Sequence, residues 1–91
     1  MLKGQVEILN KLGLHARAAA KLLHLAESFS SDIKLIKLDK SVYADAKSIL
    51  NVLTLAASKG TKLTLEVKGT DEKMAFDAIV ELFNDGFGEL D

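Results

Sequence analysis

His15 stands in the stretch Leu12-Gly13-Leu14-His15-Ala16-Arg17-Ala18-Ala19-Ala20-Lys21, where a strand is expected to give way to an alanine-rich helix. That position aims an imidazole and the first free helix N–H groups, those of Ala16, Arg17 and Ala18, into one space, with the Arg17 guanidinium beside them. A helix N-terminus is a ready anion site, and an adjacent cation adds to its pull. A neutral imidazole is a usable nucleophile at about pH 7, and a phosphoryl group on its nitrogen can leave again to a second acceptor. The chemistry indicated is reversible carriage of a phosphoryl group, with the backbone and Arg17 stabilising its charge on arrival and departure. The plainer reading makes His15 a polar cap filling a surface notch. For an isolated histidine that reading is the stronger one; here the neighbours favour chemistry.

Little else in the chain offers a reaction. There is no Walker-type glycine-rich loop, no paired acidic metal cluster and no second large domain, so the phosphate donor is expected to be another protein. With no cysteine and only one other histidine, His24, the sequence has no metal-ligand set, and neither metal nor cofactor is expected. His24 shares the solvent side of the first helix with Arg17 and Lys21 and suits a partner rim. Tyr43 has no base beside it and reads as strand packing. Phe29, Phe76 and Phe83 read as core.

The chain that must position His15 has 91 residues, enough for one core, and is expected to form a single domain over 1–91 and a monomer. Its 12 basic and 13 acidic side chains nearly cancel and are interspersed, which argues against a groove for nucleic acid. No apolar run approaches the roughly 20 residues of a membrane span, so no membrane insertion is expected. Met1-Leu2-Lys3-Gly4 leads into alternating residues instead of a signal-peptide core, and the chain is expected to be complete. The absence of cysteine suits a reducing, cytoplasmic setting.

Gln5 to Leu9 alternates as a half-buried strand with Val6 and Ile8 on one face, and Asn10 to Leu14 follow as a loop. From Ala16 the period changes, and Ala19, Leu22, Leu23 and Ala26 mark one face of a helix that the polar residues Glu27 to Asp32 end. Asp32 to Leu38 reads as a strand whose adjacent Leu35-Ile36 pair suggests a bulge or an edge position. Asp39-Lys40-Ser41 predicts a turn and Val42-Tyr43-Ala44 a short return strand. Ser48 caps a second helix with Ile49, Val52, Leu53 and Ala56 on its stripe, ended at Lys59-Gly60. Leu63, Leu65 and Val67 alternate with Thr64, Glu66 and Lys68 in the clearest strand signal. Thr70, with Asp71-Glu72, caps a last helix whose face is Phe76, Ile79, Val80 and Phe83, before Gly86 and Gly88 loosen the tail. The order β-α-β-β-α-β-α predicts an α+β two-layer sandwich, its helices covering one face of a four-stranded sheet.

Leu50 and Leu55 fall off the stripe of the second helix. They read as scattered surface leucines or as the flank of a wide core face; if Leu50 lies exposed near His15, it forms an apolar docking patch with Asn51 and the Ala16/Ala20 side of the first helix, extended by Leu14.

Gly13-Leu14-His15-Ala16-Arg17, Lys47-Ser48-Ile49-Leu50 and Leu55-Ala56-Ala57-Ser58-Lys59-Gly60 together resemble the HPr phosphocarriers of the bacterial phosphoenolpyruvate-dependent phosphotransferase system and their nitrogen-branch relatives, over nearly the whole chain. The resemblance implies an open-faced β-sandwich in which His15 takes phosphate on Nδ1 from phosphorylated enzyme I and passes it to a histidine of an enzyme IIA-type domain. It also implies Arg17 as the phosphate partner, and Ser48 as the counterpart of a serine modified in many relatives by a regulatory kinase, with a phosphorylase as the opposing activity. Two features depart from the family pattern. Ala18 stands where proline is usual, which restores a backbone N–H near the anion site and removes a constraint worth up to roughly 1 kcal/mol. The connection Ser41 to Lys47 is longer than usual. A regulatory protein-binding module on the same scaffold, controlled at Ser48 or acting without phosphotransfer, is the alternative expectation. A hydrolase is weaker, because a lone histidine lacks an arranged nucleophile and orienting acid.

Overall fold

The computed structural model describes residues 1–39 and 41–90, so Lys40 of the predicted turn lies outside the described residues. Four strands, β1 (Leu2–Glu7), β2 (Asp32–Lys37), β3 (Tyr43–Asp45) and β4 (Lys62–Lys68), form one antiparallel sheet in the order β1-β4-β2-β3. Three helices, α1 (Ala16–Glu27), α2 (Ile49–Thr54) and α3 (Glu72–Asn84), follow in the expected sequence order. The helices lie on one face, and the architecture is the two-layer α+β sandwich with the other sheet face open.

Period-2 alternation decides which side chains meet the helices. Val6, Ile33, Leu35, Ala44, Leu63, Leu65 and Val67 point into the core, against Ala18, Ala19, Leu22 and Ala26 of α1, Val52 of α2 and Ala75, Ile79 and Phe83 of α3. The open face carries polar pairs in register, including Lys3 with Glu66 across β1 and β4 at 3.4 Å. Gly4 leaves room for a ring: a methyl group there would come within 2.6 Å of Phe76 Cζ.

Several predicted details are corrected. β1 begins at Leu2, and Ile8 extends its pairing only through bonds to Thr61 and Gly60. β2 is a central strand in unbroken register with both neighbours, with no bulge; Leu35 is buried and Ile36 half-buried on the open face, so the apolar pair serves both faces. β3 takes the edge, and Tyr43 is exposed there, its ring 5.0 Å from the Lys34 ammonium. On α1, Ala18 is buried while Leu23 is only half-buried. α2 stops at Thr54, and Ala56 turns the chain at a φ of 47°, which buries Leu55 and leaves Leu53 and Ala56 outside. The N-cap of α3 is Asp71, not Thr70, and its carboxylate serves the loop after α1, accepting from the backbone N–H groups of Ser30 and Ser31 and from the Ser31 hydroxyl. Those bonds, led by the hydroxyl's, hold the Asp71 carboxyl below its ordinary range.

The largest departure is the tail. Gly86–Gly88 form a tight 3-10 turn in which Gly86, Phe87 and Gly88 all take left-handed φ values of 58°, 57° and 73°. Phe87, which sequence reasoning did not place in the core, is fully buried and meets Phe83 edge-to-face at 4.9 Å between centroids. The glycines do not loosen this segment; they let it reverse direction and return to His15.

Candidate functional site

The loop before α1 is held from three sides. Gly13 N–H donates to Asn10 O at 3.2 Å, Leu14 N–H donates to Ala57 O at 2.9 Å, and Asn10 Nδ2 donates to Gly13 O at 2.9 Å. Gly13 takes a φ of 67°, and any Cβ there would stand 2.3 Å from Ala57 O. Only glycine fits that approach. Leu14 is thereby drawn into the core at 5% exposure, which corrects its expected place in an exposed docking patch.

His15 is the N-cap of α1, in extended backbone at φ −76° and ψ 178°, and its side chain makes no capping bond. The helix ladder opens with Ala19 N–H donating to His15 O at 2.8 Å, so the N–H groups of Ala16, Arg17 and Ala18 precede it. Ala16 and Arg17 are exposed, whereas Ala18 is wholly buried at 0% exposure, which corrects its expected place among the accessible N–H donors of the anion site.

A residue that sequence reasoning missed completes the cluster. The Glu89 carboxylate, its side chain 13% exposed, lies against the half-buried His15 ring with Nε2 2.7 Å from Oε2 and 3.0 Å from Oε1. Arg17 Nε donates to Oε2 at 3.0 Å with Nη2 in ion-pair contact with the same oxygen at 3.0 Å, and Asn10 Nδ2 donates to Oε1 at 2.9 Å. Asn10 itself is buried. These donors pull the Glu89 carboxyl from its ordinary 4.5 down to about 2, the Asn10 amide most and then His15 and Arg17, against burial acting the other way. Lys21 Nζ donates to Phe87 O at 2.7 Å and clamps the tail one residue before Gly88. An open hollow next to the cluster is lined by Lys11, Leu12, Arg17, Lys21, Gly88 and Glu89. The arrangement can hold an imidazole still, keep it paired with a carboxylate, and surround an incoming anion with cationic and N–H donors.

A family model described as the PTS HPr component phosphorylation site matches residues 2–85. The chain belongs to the HPr family of phosphocarriers. Among HPr-family proteins it is 49% identical to phosphocarrier protein HPr of Cupriavidus necator over 98% of both chains, and 41% identical to phosphocarrier protein NPr of Escherichia coli K12 over 97% of both. The crystal structure of HPr from Thermoanaerobacter tengcongensis superposes with a TM-score of 0.91 at 41% identity, over 99% of each chain. The catabolite-repression protein Crh of Bacillus subtilis shares the HPr fold more loosely, with a TM-score of 0.74 at 36% identity over 94% of this chain and 97% of that one.

The remaining HPr-like features fall on a second surface. Ser48 is the N-cap of α2, its hydroxyl accepting from Asn51 N–H at 3.5 Å. Leu50 is 73% exposed and Asn51 is exposed, while Ala20 is only half-buried. α1 packs directly on α2, which brings this surface to the helix that His15 caps. His24 is exposed on the last turn of α1. Among the described residues no helix is long and apolar enough to cross a membrane. Sequence reasoning missed Glu89, and Asn10 as its donor, because the two meet across 79 residues, beyond any local spacing. The one available signal was the invitation to a left-handed turn in Gly86-Phe87-Gly88.

Proposed function

We propose that this phosphocarrier accepts a phosphoryl group on Nδ1 of His15 from phosphorylated enzyme I and delivers it to enzyme IIA-type domains in the cytoplasm. One observation carries the assignment to His15: its ring is half-buried at a helix N-terminus and makes no capping bond, and among the described residues Nδ1 has no hydrogen-bond partner. The Nδ1 lone pair forms the new N–P bond while the bond to the donor breaks and its electron pair leaves with the donor. The phosphoryl oxygens take the N–H groups of the exposed Ala16 and Arg17, and the Arg17 guanidinium supplies positive charge. Leu50, Asn51 and Ala20 form the docking surface next to it, and phosphorylation of Ser48 by a regulatory kinase places charge in that surface and weakens encounters.

The test is incubation of the protein and His15→Ala with phosphoenolpyruvate and enzyme I. The expected result is an acid-labile mass increase of one phosphoryl group that vanishes in the variant. Folded wild-type protein that never labels would instead make this a regulatory binding module.

A further inference from the structure

We propose that Glu89 is the positioning residue of the phosphoryl acceptor, its carboxylate holding Nε2–H of His15 so that Nδ1 keeps its lone pair, and balancing the charge the ring gains when the phosphoryl group binds. The proposal rests on the reading of His15 as acceptor. Which nitrogen of a neutral imidazole carries the proton is decided by the partner that the other nitrogen finds. An ionised carboxylate only accepts hydrogen bonds, and the four donor contacts on Glu89 keep it ionised throughout the neutral range. With Oε2 at 2.7 Å, Nε2 of the neutral ring is therefore the protonated nitrogen and Nδ1 the bare one.

The electron balance favours the same arrangement. When Nδ1 bonds phosphorus and Nε2–H is retained, the ring becomes cationic, and Glu89 already stands against the atom that carries the proton. When the N–P bond breaks toward the next acceptor, its electron pair returns to Nδ1. The ring then leaves as neutral imidazole with no proton to collect. Glu89 also holds Arg17 beside the ring through one hydrogen bond and an ion-pair contact to the same oxygen. The carboxylate is itself fixed, by Asn10 from the loop and by a tail that the buried Phe87 ring and the Lys21 ammonium anchor. Lys11 and Lys21 are the other charged groups lining the hollow next to it.

Two measurements on the full chain decide the matter. Nitrogen-15 NMR of the His15 ring reads the tautomer without any phosphorylation, in wild type, Glu89→Ala and Glu89→Gln. Timed labelling by enzyme I and phosphoenolpyruvate reads kcat and KM for the carrier. The wild-type ring should be a single Nε2–H tautomer, Glu89→Ala should mix tautomers, and its kcat should fall about 10- to 100-fold with KM nearly unchanged. Glu89→Gln, which keeps an acceptor oxygen but no charge, should restore the tautomer and only part of kcat. An unmixed tautomer in Glu89→Ala with an unchanged rate would overturn the proposal. So would a faster rate, which would make Glu89 a competitor for Arg17. Wild-type protein that fails to label would sink the acceptor reading itself, a separate result that the tautomer spectrum does not depend on.

Discussion

Arg17 meets one oxygen of Glu89 through an Nε hydrogen bond and an Nη2 ion-pair contact while its side chain stays 65% exposed. Its bonds are therefore exchangeable: the guanidinium can turn from a carboxylate to a phosphoryl group without leaving the hollow, and solvent screens what it gains. Arg17→Ala is expected to slow labelling by about 10- to 100-fold. Arg17→Lys should recover only part of that, since an ammonium provides charge without the planar fork; complete recovery in single-turnover labelling would show that charge alone is used. Asn10 acts differently because it is buried. Asn10→Ala leaves the Gly13 carbonyl without its side-chain donor and leaves Oε1 of Glu89 with only the His15 Nε2 contact at 3.0 Å. The lost bond to Gly13 should cost about 1–3 kcal/mol in urea denaturation, and the His15 ring should show the same mixed tautomers as Glu89→Ala.

The loop and helix caps carry the next set of consequences. Gly13→Ala must hold a left-handed φ of 67° and push a methyl group against the Ala57 backbone, which is part of the chain's turn out of α2 and has little room to yield. A cost of about 2 kcal/mol or more is expected from thermal denaturation, with a displaced His15 and slowed labelling as its functional sign. Ser48→Ala should cost far less. The Asn51 N–H to Ser48 Oγ distance of 3.5 Å sits at the outer limit of a hydrogen bond, so a loss of about 0.5 kcal/mol, or about 2–4 °C in Tm, is expected. The strands and helices were legible in the sequence because each buries one face, and a face repeats every two or 3.6 residues. α2 was misread where that logic lapses: six residues make too little helix for a stripe, and the turn at Ala56 reassigns Leu53 and Leu55. Around His15 the local half of the site, Ala16 and Arg17 included, could be read from spacing. Asn10 and Glu89 could not, since they meet across 79 residues through a turn whose two glycines look like slack until their backbone angles are known.

Core and site are joined at Phe87. A phenylalanine held at a φ of 57° is strained by about 1–2 kcal/mol, and burying its ring against Phe83 offsets that strain. Phe87→Ala should therefore cost about 3–5 kcal/mol, a large share of the roughly 5–15 kcal/mol that holds such a domain together. It should also release Glu89, so the His15 tautomer in the surviving folded protein should mix as in Glu89→Ala. The same linkage makes stability respond to acid. Glu89 titrates at about 2 in the folded chain and near its ordinary 4.5 when the contacts are lost, so its contribution is complete above 4.5 and is lost as pH falls toward about 2. Asp39, Asp71 and Glu72, also lowered by their hydrogen bonds, weaken the fold in the same acid range. Because they titrate in wild type and Glu89→Gln alike, they cancel in the difference between the two. Denaturation of both proteins across that interval should show the wild-type advantage shrinking steadily with acid; an advantage that stays constant down to about pH 2 would mean that the charge on Glu89 does not hold the tail to the site.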